Sequence, residues 1–585
     1  MDFGEFEIIE KKVIIRIKDR ICETADELLN SLLFSQILIL CVKDLQNHNS
    51  YLLGIFDKAN SIDQQIASFN RTLIFLSKMS CDLVINVEPG SDVFFRDKLL
   101  LTEFIDYLYN YWRSFDRFIA CESKENTHEK RPYRIFNSTV EQLTHLVRAV
   151  YRDIQENISG THPRIYRQVR AGAEIASIVC QKVIPFQSLE YDKLNVVPLI
   201  RQVLMYPPMI LNPPMNKRTG VFEKIEANPL KGVSFNKNQW LCYPAKVGEL
   251  IILIYIHQKF YELGYSLCNL FELAEDDELT RKPDAVYCFG VARRDIEGLG
   301  QSATVFYQDC DNDMLVAAVP RDDEFGYFGY LKKMVLTLHN VIMMNRGVLP
   351  FHGALLHLIM PDKKTATILL IGDTGAGKSE TIEAMRDLGK NEIQDMLIIA
   401  DDMGSIQIKD NGDIVGYGTE IGAFLRLDDL KAGYAFGQID RAIIMSPNKT
   451  NARIVLPVTT FDRVVRGYKI DCILYANNYE EIDSDHPIIE KFDTCEQAQH
   501  VFREGTVMSK GTTTSTGLVH SYFANVFGPP QYKKVHDQLA KKYFSAFYRQ
   551  GLFVGQMRTR LGIFGYERKG PQAAAGELLN ILKKS

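Results

Sequence analysis

LLIGDTGAGKSETIEAM, residues 369–385, decides how the rest of this chain is read. An apolar run leads into a glycine-rich turn, then Lys-Ser, then an amphipathic stretch. Strand, loop and helix in that order are what phosphate binding requires. Gly372, Gly375 and Gly377, with Asp373, Thr374 and Ala376 between them, let successive backbone N–H groups turn inward as an anion nest. The following helix adds the positive end of its dipole. Lys378 reaches toward the β and γ phosphates, and the Ser379 hydroxyl is placed to ligate Mg²⁺.

Downstream, MLIIADDMG (396–404) puts Asp401 and Asp402 at the end of an apolar strand. Two adjacent carboxylates there are costly unless donors or a cation satisfy them. A hard divalent metal beside the phosphates meets that need.

Bulk properties narrow the class. At 585 residues the chain exceeds what one core supports, so two or three domains are expected. Its net charge is −5 with basic residues scattered, which excludes the basic footprint of a nucleic-acid binder. The longest apolar run, LLFSQILILCV (32–42), is too short to span a bilayer, and MDFGEFEIIEKK at the start has no signal-peptide pattern. Eleven cysteines without a Cys-x-x-Cys pair argue against a disulfide framework or zinc knuckle. These features point to a cytoplasmic protein with no membrane partner.

Apolar residues at three- and four-residue steps predict helices through 20–120 and again in TVEQLTHLVRAVYRDIQENI. Residues 1–160 are therefore expected to be a helical region, a candidate for self-association. Strand-like runs follow, among them ELIILIYIH, AVYCFGVARR and MLVAAVP, then a helix over 328–345. Beyond 350, ALLHLIM, ATILLIG, MLIIADD, GSIQI, DIVGY and RAIIMS alternate with helical segments. Helices are also expected at SYFANVFG (521–528) and VHDQLAKKYFSAFYRQ (535–550). The fold class is mixed α/β, with lobes at 161–345 and 346–585.

The string GDTGAGKSET followed by ADD resembles the HPr kinase/phosphorylase family, notably in Glu380 after the Lys-Ser pair. The wider chain, over about 320–585, resembles ATP-dependent phosphoenolpyruvate carboxykinase. YFGYLKKM is similar to the carboxykinase segment carrying a substrate-side tyrosine and a metal-ligating lysine, implying Tyr327 and Lys333. Nineteen residues later FHGA implies His352 as a metal ligand, and the Asp-Asp strand implies Asp402 as the third. NARIVLP implies Arg453 on the transferred phosphate; VFREGTVMSKGTTTSTG resembles a lid that includes Lys510; FVGQMRTRLGI implies Arg560, and less directly Arg558, near the nucleotide base. The resemblance implies a two-lobed P-loop fold with an extra helical N-terminal region. It also implies ATP with Mg²⁺, and Mn²⁺ on Lys333, His352 and Asp402. A lysine ligand must be neutral, because an ammonium has no lone pair.

The sequence departs from that family on the carboxylate side. The Gly-Arg-Ser-Pro-Lys-Asp segment has no clear counterpart, leaving NKRTGVF with Arg218, or RIYRQVRAGAE with Arg167 and Arg170, as candidates. Three functions are therefore expected in order. The first is a carboxykinase-like lyase and phosphotransferase of gluconeogenic type, acting on a small carboxylate. The second is a kinase for a hydroxyl on a protein or small molecule, with Asp401 or Asp402 as general base. The third is a nucleotide-binding regulatory protein.

Overall fold

The computed structural model describes residues 5–18, 21–57, 60–123, 130–161, 171–389, 392–427, 439–510 and 516–584. The protein is mixed α/β, built from several mixed sheets and many helices. Two compact units divide it: Met1–Lys182 with Pro198–Tyr206, and Val183–Val197 with Pro207–Ser585.

The first unit is not purely helical, contrary to the periodicity reading. Glu5–Ile9 and Lys12–Ile17 form an antiparallel pair, and Lys12–Ile17 runs parallel to Asp116–Glu122. That strand runs parallel to Ile175–Cys180, which pairs antiparallel with Leu199–Met205. Parallel neighbours need long crossovers, and the predicted helices supply the first one. They include Ala25–Leu29, Leu32–Asn47, Ile62–Leu76 and Lys98–Arg113. Three of them begin on side-chain caps that periodicity does not see: Thr24 accepts from Glu27 N, Ser31 from Phe34 N and Asp97 from Leu100 N. Their apolar faces meet around Phe69, which sits edge-on to Phe94 and Phe104 at centroid distances of 5.0 and 5.3 Å. Apart from the short hairpin Glu5–Ile9 and Lys12–Ile17, these strands stand far apart in the chain, so no local pattern pairs them.

The second unit takes in most of the expected lobe 161–345 and all of 346–585, while 171–182 and 198–206 belong to the first unit. Helix Phe328–Asn345 lies within this unit. Almost every residue along it is buried, the polar Lys332, Thr337, His339 and Asn340 included, so it is covered on nearly every side. One sheet of this unit holds, in order, Trp240–Val247, Leu250–His257, Ala285–Val291, Met314–Pro320, Val305–Asp309 and Glu223–Ile225. Another carries the glycine-rich loop 372–377. Its order is Tyr468–Lys469, Ile414–Gly418, Met403–Ile408, Leu349–Ile359, Thr365–Ile371, Cys472–Asn477, Phe553–Arg558 and Ile489–Lys491, with Asp395–Ala400 also paired to Leu349–Ile359. A third sheet runs Gly422–Arg426, Arg453–Pro457, Ile443–Met445 and Met209–Leu211.

SYFANVFG is not the regular helix its pattern suggested. A 3₁₀ turn, Tyr522–Ala524, is followed by Asn525, and Phe523, Ala524 and Asn525 all have left-handed backbones at φ +45°, +56° and +64°. Such a run cannot continue a right-handed helix. The following helix, Pro529–Arg549, contains the expected final helical segment. Among the described residues no helix is long and apolar enough to cross a membrane.

Candidate phosphoryl-transfer site

Thr365–Ile371 ends at Gly372, and helix Lys378–Leu388 starts directly after Gly377. Gly375 and Gly377 take left-handed conformations at φ +81° and +93°. At Gly377 a Cβ would lie 2.6 Å from Thr559 Oγ1, so glycine is demanded by both backbone and space. The loop is pinned from outside: Thr559 Oγ1 donates to Ala376 O at 2.7 Å, and Asn478 Nδ2 donates to Gly375 O at 2.9 Å. Lys378 is folded over its own loop, donating to the Gly372 carbonyl and, at 3.2 Å, to that of Asp373. Asp373 Oδ1 accepts from Thr374 N at 2.7 Å, which shapes the start of the turn. Ser379 is exposed and Glu380 half-buried in the first turn of the helix.

The backbone brings the other candidates to this loop. Gly372 N donates to His352 O at 3.3 Å, and Gly353 N donates to Asp402 O at 2.9 Å. His352 lies on strand Leu349–Ile359 and Asp402 in the bend between Asp395–Ala400 and Met403–Ile408, both paired to that strand, which is also stitched to the first glycine of the loop. Their side chains also meet, with His352 Nε2 at 3.0 Å from Asp402 Oδ1.

The lysine bonded to Asp402 is Lys332, next in sequence to the expected Lys333. Its Nζ lies 2.8 Å from Asp402 Oδ2 and 3.1 Å from Glu420 Oε1. Burial opposes charge on Lys332, but Asp402 and Glu420 hold its ammonium protonated above the usual lysine range. Burial would likewise raise Asp402, yet Lys332 and His352 draw its carboxyl well below the ordinary value. Its neighbour Asp401 shifts the other way, raised by burial and by the Asp402 charge. Burial pushes Glu420 up to about 8 despite the Lys332 ammonium. One strand end thus holds two adjacent carboxyls of opposite proton affinity.

Lys333 points into different surroundings. Burial first, then the positive charges of Arg218, Lys332 and Arg453, lower its pKa to about 8, with Asp402 acting in the opposite sense. Its Nζ lies 5.2 Å from the centroid of the Phe527 ring, which itself lies 5.8 Å from the His352 ring. Tyr327 is buried; burial raises its phenol, and Arg453 and Asn451 counter that rise. Arg453 begins the strand Arg453–Pro457, with its guanidinium 5.3 Å from the Phe424 ring and its Nε without a hydrogen-bond partner. Arg218 lies over Phe222 at 4.9 Å and donates to Gly220 O at 2.8 Å. Among the described residues, none of Lys333, Arg218 and Arg453 is ion-paired with a carboxylate. Arg167 and Arg170 lie outside the described residues.

No family model matches the chain, and no curated protein matches it either.

The nucleotide-base candidates separate. Arg558 is 1% exposed and bonded to Glu480 Oε2 at 2.8 Å, Glu490 Oε2 at 2.7 Å and Pro487 O at 2.8 Å. It is a buried pin and is not available to a base. Arg560, at φ +52°, lies 4.1 Å from the Tyr566 ring centroid and has an unbonded Nε. Lys510 closes the strand Thr506–Lys510, and its side chain lies outside the described residues.

Among the described residues no group of three His, Cys, Asp or Glu side chains is gathered around a metal position. A second cation would need a lysine in the set, and the donor chemistry fits one. His352 Nδ1 bonds the Ala524 carbonyl, so it carries the proton and Nε2 is left facing the Asp402 carboxylate. Only a proton or a cation at Nε2 makes that approach favourable. Lys333, with its depressed proton affinity, supplies an amine that is neutral more readily than any surface lysine.

Sequence reasoning missed Lys332 and Glu420. The signal for Glu420 was available: it is a single carboxylate inside GTEIGAF (418–424), a stretch otherwise small and apolar.

Proposed function

We propose that this protein is an ATP-dependent, divalent-metal-dependent phosphotransferase of phosphoenolpyruvate carboxykinase type, acting in the cytoplasm. The observation that carries the reading is the joining of His352 to both Gly372 and Asp402, which sets an imidazole and a strand-end carboxylate beside a phosphate loop. Lys378 and the loop N–H groups hold the terminal phosphates of ATP. Mg²⁺ at Ser379, and Mn²⁺ at His352, Asp402 and Lys333, would neutralise negative charge on the transferring phosphoryl group and on the substrate oxygen when bound.

The unpaired cations argue for an anionic substrate. Among the described residues Arg218, Lys333 and Arg453 have no carboxylate ion-pair partner, and partly buried cations call for anions. Oxaloacetate suits them. Its C–C bond to the departing carboxylate breaks, CO₂ leaves, and the electron pair remains as an enolate. The enolate oxygen attacks the γ phosphorus while the bond to ADP breaks, giving phosphoenolpyruvate. Arg453 accompanies the charge in flight, and Arg218 replaces the missing carboxylate-binding segment.

One observation favours a second reading, a kinase for a hydroxyl. Asp401 and Asp402 are pushed apart in proton affinity, the arrangement that separates an acid from a base. Incubating the protein with ATP, oxaloacetate, Mg²⁺ and Mn²⁺ and assaying phosphoenolpyruvate decides between them. Formation of product supports the carboxykinase reading. ATP binding with no phosphoenolpyruvate under any metal combination would overturn it, and phosphorylation of a hydroxyl acceptor would then establish the kinase.

A further inference from the structure

Between the hairpin strand Thr516–His520 and helix Pro529–Arg549 lies a short segment, 521–528, that touches both nitrogen donors of the proposed second cation site. Its left-handed run presents the Ala524 carbonyl to His352 Nδ1. Its Phe527 ring faces His352 at 5.8 Å, with 33° between the planes, and lies 5.2 Å from Lys333 Nζ. The ring is held from behind. Phe527 O accepts from Asn340 Nδ2 at 3.2 Å, on the helix that carries Lys333, and Gly528 follows at φ +95° against Val341.

Phe523 and Ala524 adopt left-handed backbones that such residues avoid, and both are buried while they do so; Asn525 follows in the same region, which asparagine tolerates. Backbone strain of this kind persists only where surrounding contacts over-determine it. Those contacts are present: the Phe523 ring packs on His536 at 4.8 Å, and Ala524 N donates to Ser521 O at 2.8 Å. The segment holds a carbonyl and an aromatic face in fixed positions against two side chains that belong to different elements.

We propose that Phe527 is a positioning residue for a nucleotide-independent divalent-cation site: its ring sets the His352 plane and confines the Lys333 amine, while the Ala524 carbonyl fixes the imidazole tautomer. The inference rests on the carboxykinase-type reading. Partners outside a ligand set that orient ligating histidines alter metal affinity by about 10- to 100-fold when removed. Leucine at 527 keeps apolar bulk but removes the flat face, whereas tyrosine keeps it.

The test is titration of the full chain, without nucleotide, with Mn²⁺, reading free Mn²⁺ by electron paramagnetic resonance. Thermal melting of the metal-free proteins and binding of a fluorescent ATP analogue with Mg²⁺ accompany it. Phe527→Leu should weaken Mn²⁺ binding about 10-fold or more, Phe527→Tyr should restore it, and the analogue should bind both variants as it binds the unaltered protein. A structural role alone would lower the melting temperature in Phe527→Leu and leave Mn²⁺ affinity unchanged, which would overturn the proposal while sparing the functional reading. Absence of any nucleotide-independent Mn²⁺ site in the unaltered protein would overturn both.

Discussion

Lys332 Nζ lies 2.8 Å from Asp402 Oδ2, so a buried ammonium, rather than a neutral amine, is the direct lysine partner of the strand-end aspartate. The same ammonium lies 3.1 Å from Glu420 Oε1, whose side chain is wholly buried and whose proton affinity burial raises, so two carboxyl groups meet one cation. Removing one member of such a group leaves the others uncompensated.

Lys332→Met should therefore destabilise the protein by about 3–5 kcal/mol in urea unfolding, and the double variant Lys332→Met/Glu420→Gln should recover part of that loss. A loss under about 1 kcal/mol in the single variant would mean that the cluster is not held by this ion pair.

Gly377→Ala puts a Cβ at 2.6 Å from Thr559 Oγ1 on a backbone of φ +93°. Binding of a fluorescent ATP analogue should fall by more than about 10-fold, because the N–H nest depends on that left-handed turn. Thr559→Gly in the same chain should relieve the contact but not the backbone penalty, so affinity should return only in part.

Arg558 and Arg560 are separated by one residue and should behave oppositely. Arg558→Ala unpairs Glu480 and Glu490 and should lower the melting temperature, while the folded fraction binds ATP normally. Arg560→Ala should melt like the unaltered protein and bind ATP more weakly. Equal nucleotide affinity in both variants would remove Arg560 from the site.

Burial lowers three histidines, His257, His339 and His536, to about 4. In the unfolded chain they titrate near an ordinary value of about 6.5. Between those values the unfolded state binds more protons, so stability rises with pH there and is lost as pH falls from about 6.5 toward 4. Urea midpoints measured across that range should drop, and His339→Gln should make the drop shallower. An identical slope in the variant would show that His339 is not among the groups responsible.

By itself the sequence determined the glycine-rich turn before Lys378, the Asp401-Asp402 strand end and the mixed α/β class. Each is a local pattern whose spacing already encodes its geometry: glycines where the chain must turn left-handed, carboxylates ending an apolar run, strands and helices in alternation. Only the tertiary structure decided which lysine meets Asp402. Consecutive residues on a helix point about 100° apart, and Phe328–Asn345 is buried all round, so it has no polar stripe to set its phase. The sheet of the first unit was hidden because its parallel partners Lys12–Ile17, Asp116–Glu122 and Ile175–Cys180 stand far apart in the chain. Burial and pairing are properties of the packed molecule, and they assigned a charge to Lys332 and drew protons away from Lys333 where the bare string KK treats the two alike.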